Sequence, residues 1–153
     1  MKNSYALITG ASSGIGLEIA KNLAERGYNL ILTARRLDLL ESISKEISTK
    51  NGVHVDFITK DLSKHESPKE ISEFCDSKNY KVDLLVNNAG YGIKTPFHET
   101  SIEVEEDFIR VLGTSVIMLT KLFIPRMLKN GGGKIMIVSS VASFAAPSAI
   151  QPL

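Results

Sequence analysis

Residues 9–16 read Thr-Gly-Ala-Ser-Ser-Gly-Ile-Gly, and no other stretch limits so tightly what this chain can fold into. The run follows a short apolar, β-rich segment, Tyr5 to Thr9, and leads into Ile15, Ile19 and Leu23 at helical spacing, with Gly27 as a stop. It therefore predicts a strand, a tight turn and a helix N-terminus. Gly10, Gly14 and Gly16 lack β-carbons, so the turn can bend sharply and a ligand can come close to the backbone. Ser12, Ser13 and Ile15 complete a loop whose free N–H groups, backed by the helix dipole, suit the pyrophosphate of a dinucleotide. A glycine-rich turn can also serve packing alone. The position of this one at the head of a strand–helix–strand unit favours the ligand.

The remaining chain repeats that unit. Further strands are expected over Leu30 to Ala34, Val53 to Thr59, Leu84 to Asn87 and Lys134 to Val138, mostly as continuous apolar runs of the kind covered on both faces. Breaks fall at Asn51-Gly52 and at Gly131 to Gly133, and Ser67-Pro68 reads as a cap followed by a first-turn proline. A long helix should follow Ser101 and run towards Lys129, with a kink or early end at Pro125. The alternation predicts an α/β fold: a doubly wound, Rossmann-type parallel sheet of five strands in a single domain spanning 1–153.

The spacing Gly10-x-x-x-Gly14-x-Gly16, together with Asn87-Asn88-Ala89-Gly90 after the fourth strand, resembles the short-chain dehydrogenase/reductase family over Tyr5 to about Ser140. The resemblance implies a nicotinamide cofactor and an alcohol or carbonyl substrate. At the end of the second strand, where an acidic residue would hold the ribose 2′-hydroxyl of NAD, the chain has Arg35 and Arg36. Guanidinium groups there suit a 2′-phosphate, so NADP(H) is the expected cofactor. By the resemblance, Asp61, followed by Leu62, meets the adenine amino group. Asn87 braces the sheet near the cofactor, Ala89 and Gly90 let the chain pass alongside it, and Ser140 is the catalytic serine that binds the substrate oxygen.

Two departures stand beside these matches. The family's Tyr-x-x-x-Lys, which supplies the proton, falls in none of the 153 residues, so this chain is expected to be inactive alone. Leu112 occupies the position where many members carry an asparagine of the proton relay, and leucine can make no such hydrogen bonds. The rival reading is a catalytically incomplete nucleotide-binding or interaction module from a truncated gene.

Other classes are disfavoured. A net charge of +1, without a basic block, predicts no nucleic-acid partner. No membrane partner is expected, since no segment reads as spanning length and no secretory leader is evident. His54, His65 and His98 lack metal-site spacing, so no metal is predicted. The lone Cys75 fits a cytoplasmic setting. Self-association into a homo-oligomer is left open by an incomplete sheet edge.

Overall fold

The computed structural model describes residues 4–141. Strands β1 (Tyr5–Thr9), β2 (Asn29–Ala34), β3 (Val55–Thr59), β4 (Val82–Asn87) and β5 (Lys134–Ile137) form one sheet in the order β3-β2-β1-β4-β5. Every pairing is parallel, as crossovers through helices require. Helices α1 (Gly14–Glu25) and α2 (Leu37–Asn51) cover one face. Their Ala20, Ala24, Leu40 and Ile47 pack with Ala6, Ile8, Leu30 and Leu32 of the sheet. Helix α3 (Ser67–Ser77), a short α4 (Ile102–Ile109) and α5 (Ser115–Lys129) follow, and Ile71, Cys75, Leu119 and Phe123 cover the other face over Leu7, Ile31 and Leu85. Adjacent residues of β1 thus feed opposite cores, which is why it reads as uninterrupted apolar sequence.

Two expectations need correction. The long helix breaks at a π-helical segment, Arg110–Thr114, and continues through Pro125. Gly113 and Thr114 are weak helix formers, and the wider turn is accommodated where they lie. Pro125 leaves the Lys121 carbonyl without its usual helical donor, yet the helix holds because Phe123 and Met127 are buried on either side of it. The combined stretch Ile102–Lys129 is also long and apolar enough to cross a membrane by length and composition, contrary to the expectation that no segment is. Val111, Ser115, Leu119, Phe123 and Met127 nonetheless form a buried row along it, four residues apart, as in a helix laid on a sheet. A smaller difference concerns Ser67: Glu66 holds the cap position of α3, while the Ser67 hydroxyl donates to the Asp61 carbonyl at 2.6 Å.

Candidate functional site

The strand order reverses between β1 and β4, and the crevice outside their carboxyl ends is where such sheets take ligands. A cleft of about 1290 Å³ opens there. Its walls include Gly10, Ser12 to Ile15, Arg35, Arg36, Asp61, Leu62, Ala89, Gly90, Leu112 and Ser140, so residues far apart in sequence meet in one place.

The three glycines of the turn do three different things. Gly10 takes a left-handed backbone (φ +66°), and a β-carbon there would lie 2.8 Å from the Ala89 α-carbon. Gly14 is also left-handed (φ +58°), but open space lies beside it, towards the cleft. Gly16 has an ordinary backbone and is pressed against the Gly10 carbonyl and the Asn88 side chain. Gly16 is therefore a packing residue and lies outside the cleft lining, while Gly14 faces the place where a phosphate would sit. Ser13 caps α1 by position only; its side chain makes no capping bond, so first-turn N–H groups remain available to an anion.

Asn88, which the sequence reading did not single out, holds this turn. Its carboxamide Nδ2 donates to the carbonyls of Thr9 at 3.0 Å and Gly10 at 3.4 Å. The Thr9 hydroxyl accepts from the backbone N–H groups of Asn88 and Ala89, both at 2.9 Å, and donates to the Val86 carbonyl at 3.3 Å. Asn87 instead turns inward, 3% exposed, with Nδ2 3.4 Å from the Thr120 hydroxyl of α5. It ties the end of β4 to α5 and does not line the cleft.

On the opposite wall, Arg36 Nη2 donates to both Ser12 Oγ (3.1 Å) and Ser13 Oγ (3.0 Å), joining the end of β2 to the glycine turn. Asp61 lines the cleft and also accepts the Ser63 N–H at 3.0 Å, so it stiffens its own turn as well. Thr33 Oγ1, buried on the cleft floor, has no protein partner among the described residues. Tyr91 joins the wall with its ring edge-on to Phe108, centroids 5.4 Å apart. Burial, then Asp107, holds its phenol above the usual range, with Arg35 pulling the other way. Pro96 and Phe97, farther along the same loop, do not line the cleft. Ser139 and Ser140 sit past β5 at the far end of the cleft, and each has an interaction partner in the fold.

The cradle fits a dinucleotide: a close-approach turn, an open helix N-terminus and cations at the end of β2. Comparison with known proteins points the same way. The short chain dehydrogenase family model matches residues 4–152. The chain belongs to the short-chain dehydrogenase family. A very-long-chain 3-oxoacyl-CoA reductase from Vanderwaltozyma polyspora is 38% identical over 131 residues, covering 83% of this chain and 37% of that protein. A short-chain dehydrogenase from Sphingobium yanoikuyae, solved in complex with NADPH, superposes with a TM-score of 0.89 at 30% identity, covering 96% of this chain and 57% of that one. An alcohol dehydrogenase from the archaeon Thermococcus sibiricus, complexed with 5-hydroxy-NADP, gives 0.86 at 37% identity, with 95% and 62% covered. The chain spans about half or less of the length of curated relatives that it resembles, 37% of the Vanderwaltozyma polyspora protein and 50% of a fatty acyl-CoA reductase from Acinetobacter baylyi.

Among the described residues, no group of His, Cys, Asp or Glu is arranged to hold a metal ion.

Proposed function

We propose that this short-chain dehydrogenase chain binds NADP(H) in preference to NAD(H), within an oxidoreductase that interconverts an alcohol and a carbonyl compound. The observation that carries the reading is the end of β2, where Arg35 and Arg36 line the cleft and no carboxylate takes the position that would hold a 2′-hydroxyl. Relatives solved with NADPH and 5-hydroxy-NADP support it. The bound nicotinamide supplies or accepts hydride. The residues of this chain hold and orient. The Gly10–Gly16 turn seats the pyrophosphate on the N-terminus of α1, and the arginines meet the 2′-phosphate. Asp61 and Leu62 border the adenine, and Ser140 hydrogen-bonds the substrate oxygen.

None of the 153 residues matches the family's proton-donating tyrosine and its lysine, so cofactor binding and turnover should separate in this chain. Tyr91 is no match for that tyrosine, because it stands in the loop after β4 rather than on a helix that follows Ser140, and no lysine lies four residues beyond it. The relatives named as 3-oxoacyl-CoA reductases make a carbonyl β to a thioester the first substrate class to try in the whole protein.

Titration calorimetry tests the cofactor reading. Wild type should bind NADPH about 10-fold or more tightly than NADH, and Arg35→Ala should lose most of that preference. Equal affinities in wild type would overturn it.

A further inference from the structure

The ladder between β2 and β3 ends at the pair Ala34 and Thr59. The next residues, Arg35 and Lys60, therefore stand side by side at the sheet edge. The Lys60 N–H donates to the Ala34 carbonyl at 3.0 Å, which continues the ladder one step and pins the Lys60 backbone beside Arg35. Both residues line the cleft, with Arg36 next along the chain. Lys60 is drawn in from solvent, its side chain 26% exposed, and its ammonium lies 2.8 Å from Glu70 in the first turn of α3.

A half-exposed Lys–Glu pair stabilises a fold by only about 0–1 kcal/mol, so the pair alone is a weak reason for a lysine at the rim of a ligand cleft. An ammonium has three donors. Glu70 occupies one direction and leaves others for a second anion. Glu70 also restrains a flexible four-carbon stem that would otherwise have to be ordered when the ligand arrives.

We propose that Lys60 is a third cation of the 2′-phosphate subsite, beside Arg35 and Arg36, with Glu70 as the residue that positions it. The inference rests on the NADP(H) reading and extends it to a residue on a different strand. A phosphate dianion at the end of β2 meets two guanidinium groups from one side and the Lys60 ammonium from the β3 side. An analogue that lacks the phosphate gains nothing from Lys60.

Two nucleotides isolate the subsite: 2′,5′-ADP carries the phosphate and 5′-AMP does not. Each is titrated calorimetrically at low and high salt. Lys60→Met should weaken 2′,5′-ADP about 3- to 10-fold while leaving 5′-AMP within about twofold, and Lys60→Arg should keep most of the difference. The preference of wild type for 2′,5′-ADP should shrink with added salt, and that of Lys60→Met should shrink less. If Lys60→Met weakens both nucleotides equally, or lowers only the melting temperature, Lys60 is a strut between β3 and α3 and the inference falls. If Arg35→Ala removes the preference while Lys60→Met does not, the inference falls and the NADP(H) reading stands. If neither variant changes the preference, both fall together.

Discussion

Asn88 is bonded to Thr9 through both of its nitrogens, its backbone N–H reaching the Thr9 hydroxyl at 2.9 Å and its side-chain Nδ2 the Thr9 carbonyl at 3.0 Å. Thr9 ends β1 and Asn88 follows β4, so the two bonds clamp together the strands between which the order reverses. The glycine turn hangs from that clamp.

Thr9→Val keeps the shape and strands the N–H groups of Asn88 and Ala89. The expected loss of stability is about 1–3 kcal/mol, read from urea denaturation. NADPH affinity, read from the quenching or enhancement of its fluorescence, should fall with it, because Gly10 is displaced. Unchanged affinity in a folded Thr9→Val protein would mean that the turn keeps its shape without the clamp.

Gly14 and Gly16 should lose stability for different reasons under the same substitution. Gly16→Ala drives a methyl group into the Gly10 carbonyl and the Asn88 amide, and overpacking of this kind costs roughly 1–3 kcal/mol or more. Gly14→Ala meets no neighbour, so its cost is only the left-handed backbone, about 1–2 kcal/mol. Cofactor affinity should nevertheless fall in Gly14→Ala, since the methyl group enters the cleft. A Gly16→Ala protein as stable as wild type would contradict the packing role.

Leu112 lies against Gly90 in the cleft lining: a β-carbon on Gly90 would come within 2.8 Å of Leu112 Cδ2. Gly90→Ala should destabilise by about 1 kcal/mol, because the obstacle is the end of a flexible side chain. Adding Leu112→Ala should make the Gly90 substitution nearly silent. A double-mutant cycle closing with no coupling between the two would show that the contact is not made in solution.

Cys75 is 1% exposed, and burial, with the nearby Asp76 charge adding to it, pushes its thiol up to about 12. The folded protein should therefore resist thiol reagents at pH 8, and labelling should proceed at the rate at which α3 opens. The folded state favours the protonated thiol, so its contribution is complete below the ordinary value of 9.0 and declines as pH rises from there towards about 12. Tyr80, held up by burial and by its 2.8 Å hydrogen bond to Asp56, works in the same direction. Stability measured across that alkaline range should fall. Rapid labelling of native protein at pH 8 would place Cys75 outside the core.

Much of the fold was legible because it depends on local patterns. Four of the five strands are largely apolar runs with a glycine or asparagine at one end, and Gly27 and Gly52 mark helix ends through left-handed backbones (φ +82° and +65°). Proline is the strongest local helix-breaking signal in the long helix, so a kink or early end is expected at Pro125. The π segment at Arg110–Thr114 depends on how Val111 and Ser115 seat against the sheet, and that is a tertiary matter. Of the residues that line the cleft, Gly10, Ser12 to Ile15, Arg35 and Ala89 stand out by their place at strand ends, whereas Asp61 and Ser140 stand out only through the family resemblance. Asn88 and the proposed part of Lys60 do not, since each depends on strands distant in sequence coming together, β4 against β1 and β3 against β2. A faint cue for Asn88 did exist: it shares its motif with Asn87, and only one of two consecutive strand-end residues can turn towards the glycine loop.

Strand order also carries a consequence in time. β1 is the middle of the finished sheet, and its two neighbours are made far apart: β2 follows after one helix, while β4 begins only at Val82. Ribosomes add about 5–20 residues per second, so β1, β2 and β3 wait on the order of seconds with one side of β1 open before β4 emerges. During that interval the edge of Ala6, Leu7 and Ile8 offers unpaired amides and bare aliphatic side chains to any extended chain nearby. The residues hidden most completely in the mature protein are thus the ones most exposed to mispairing while it is being synthesised.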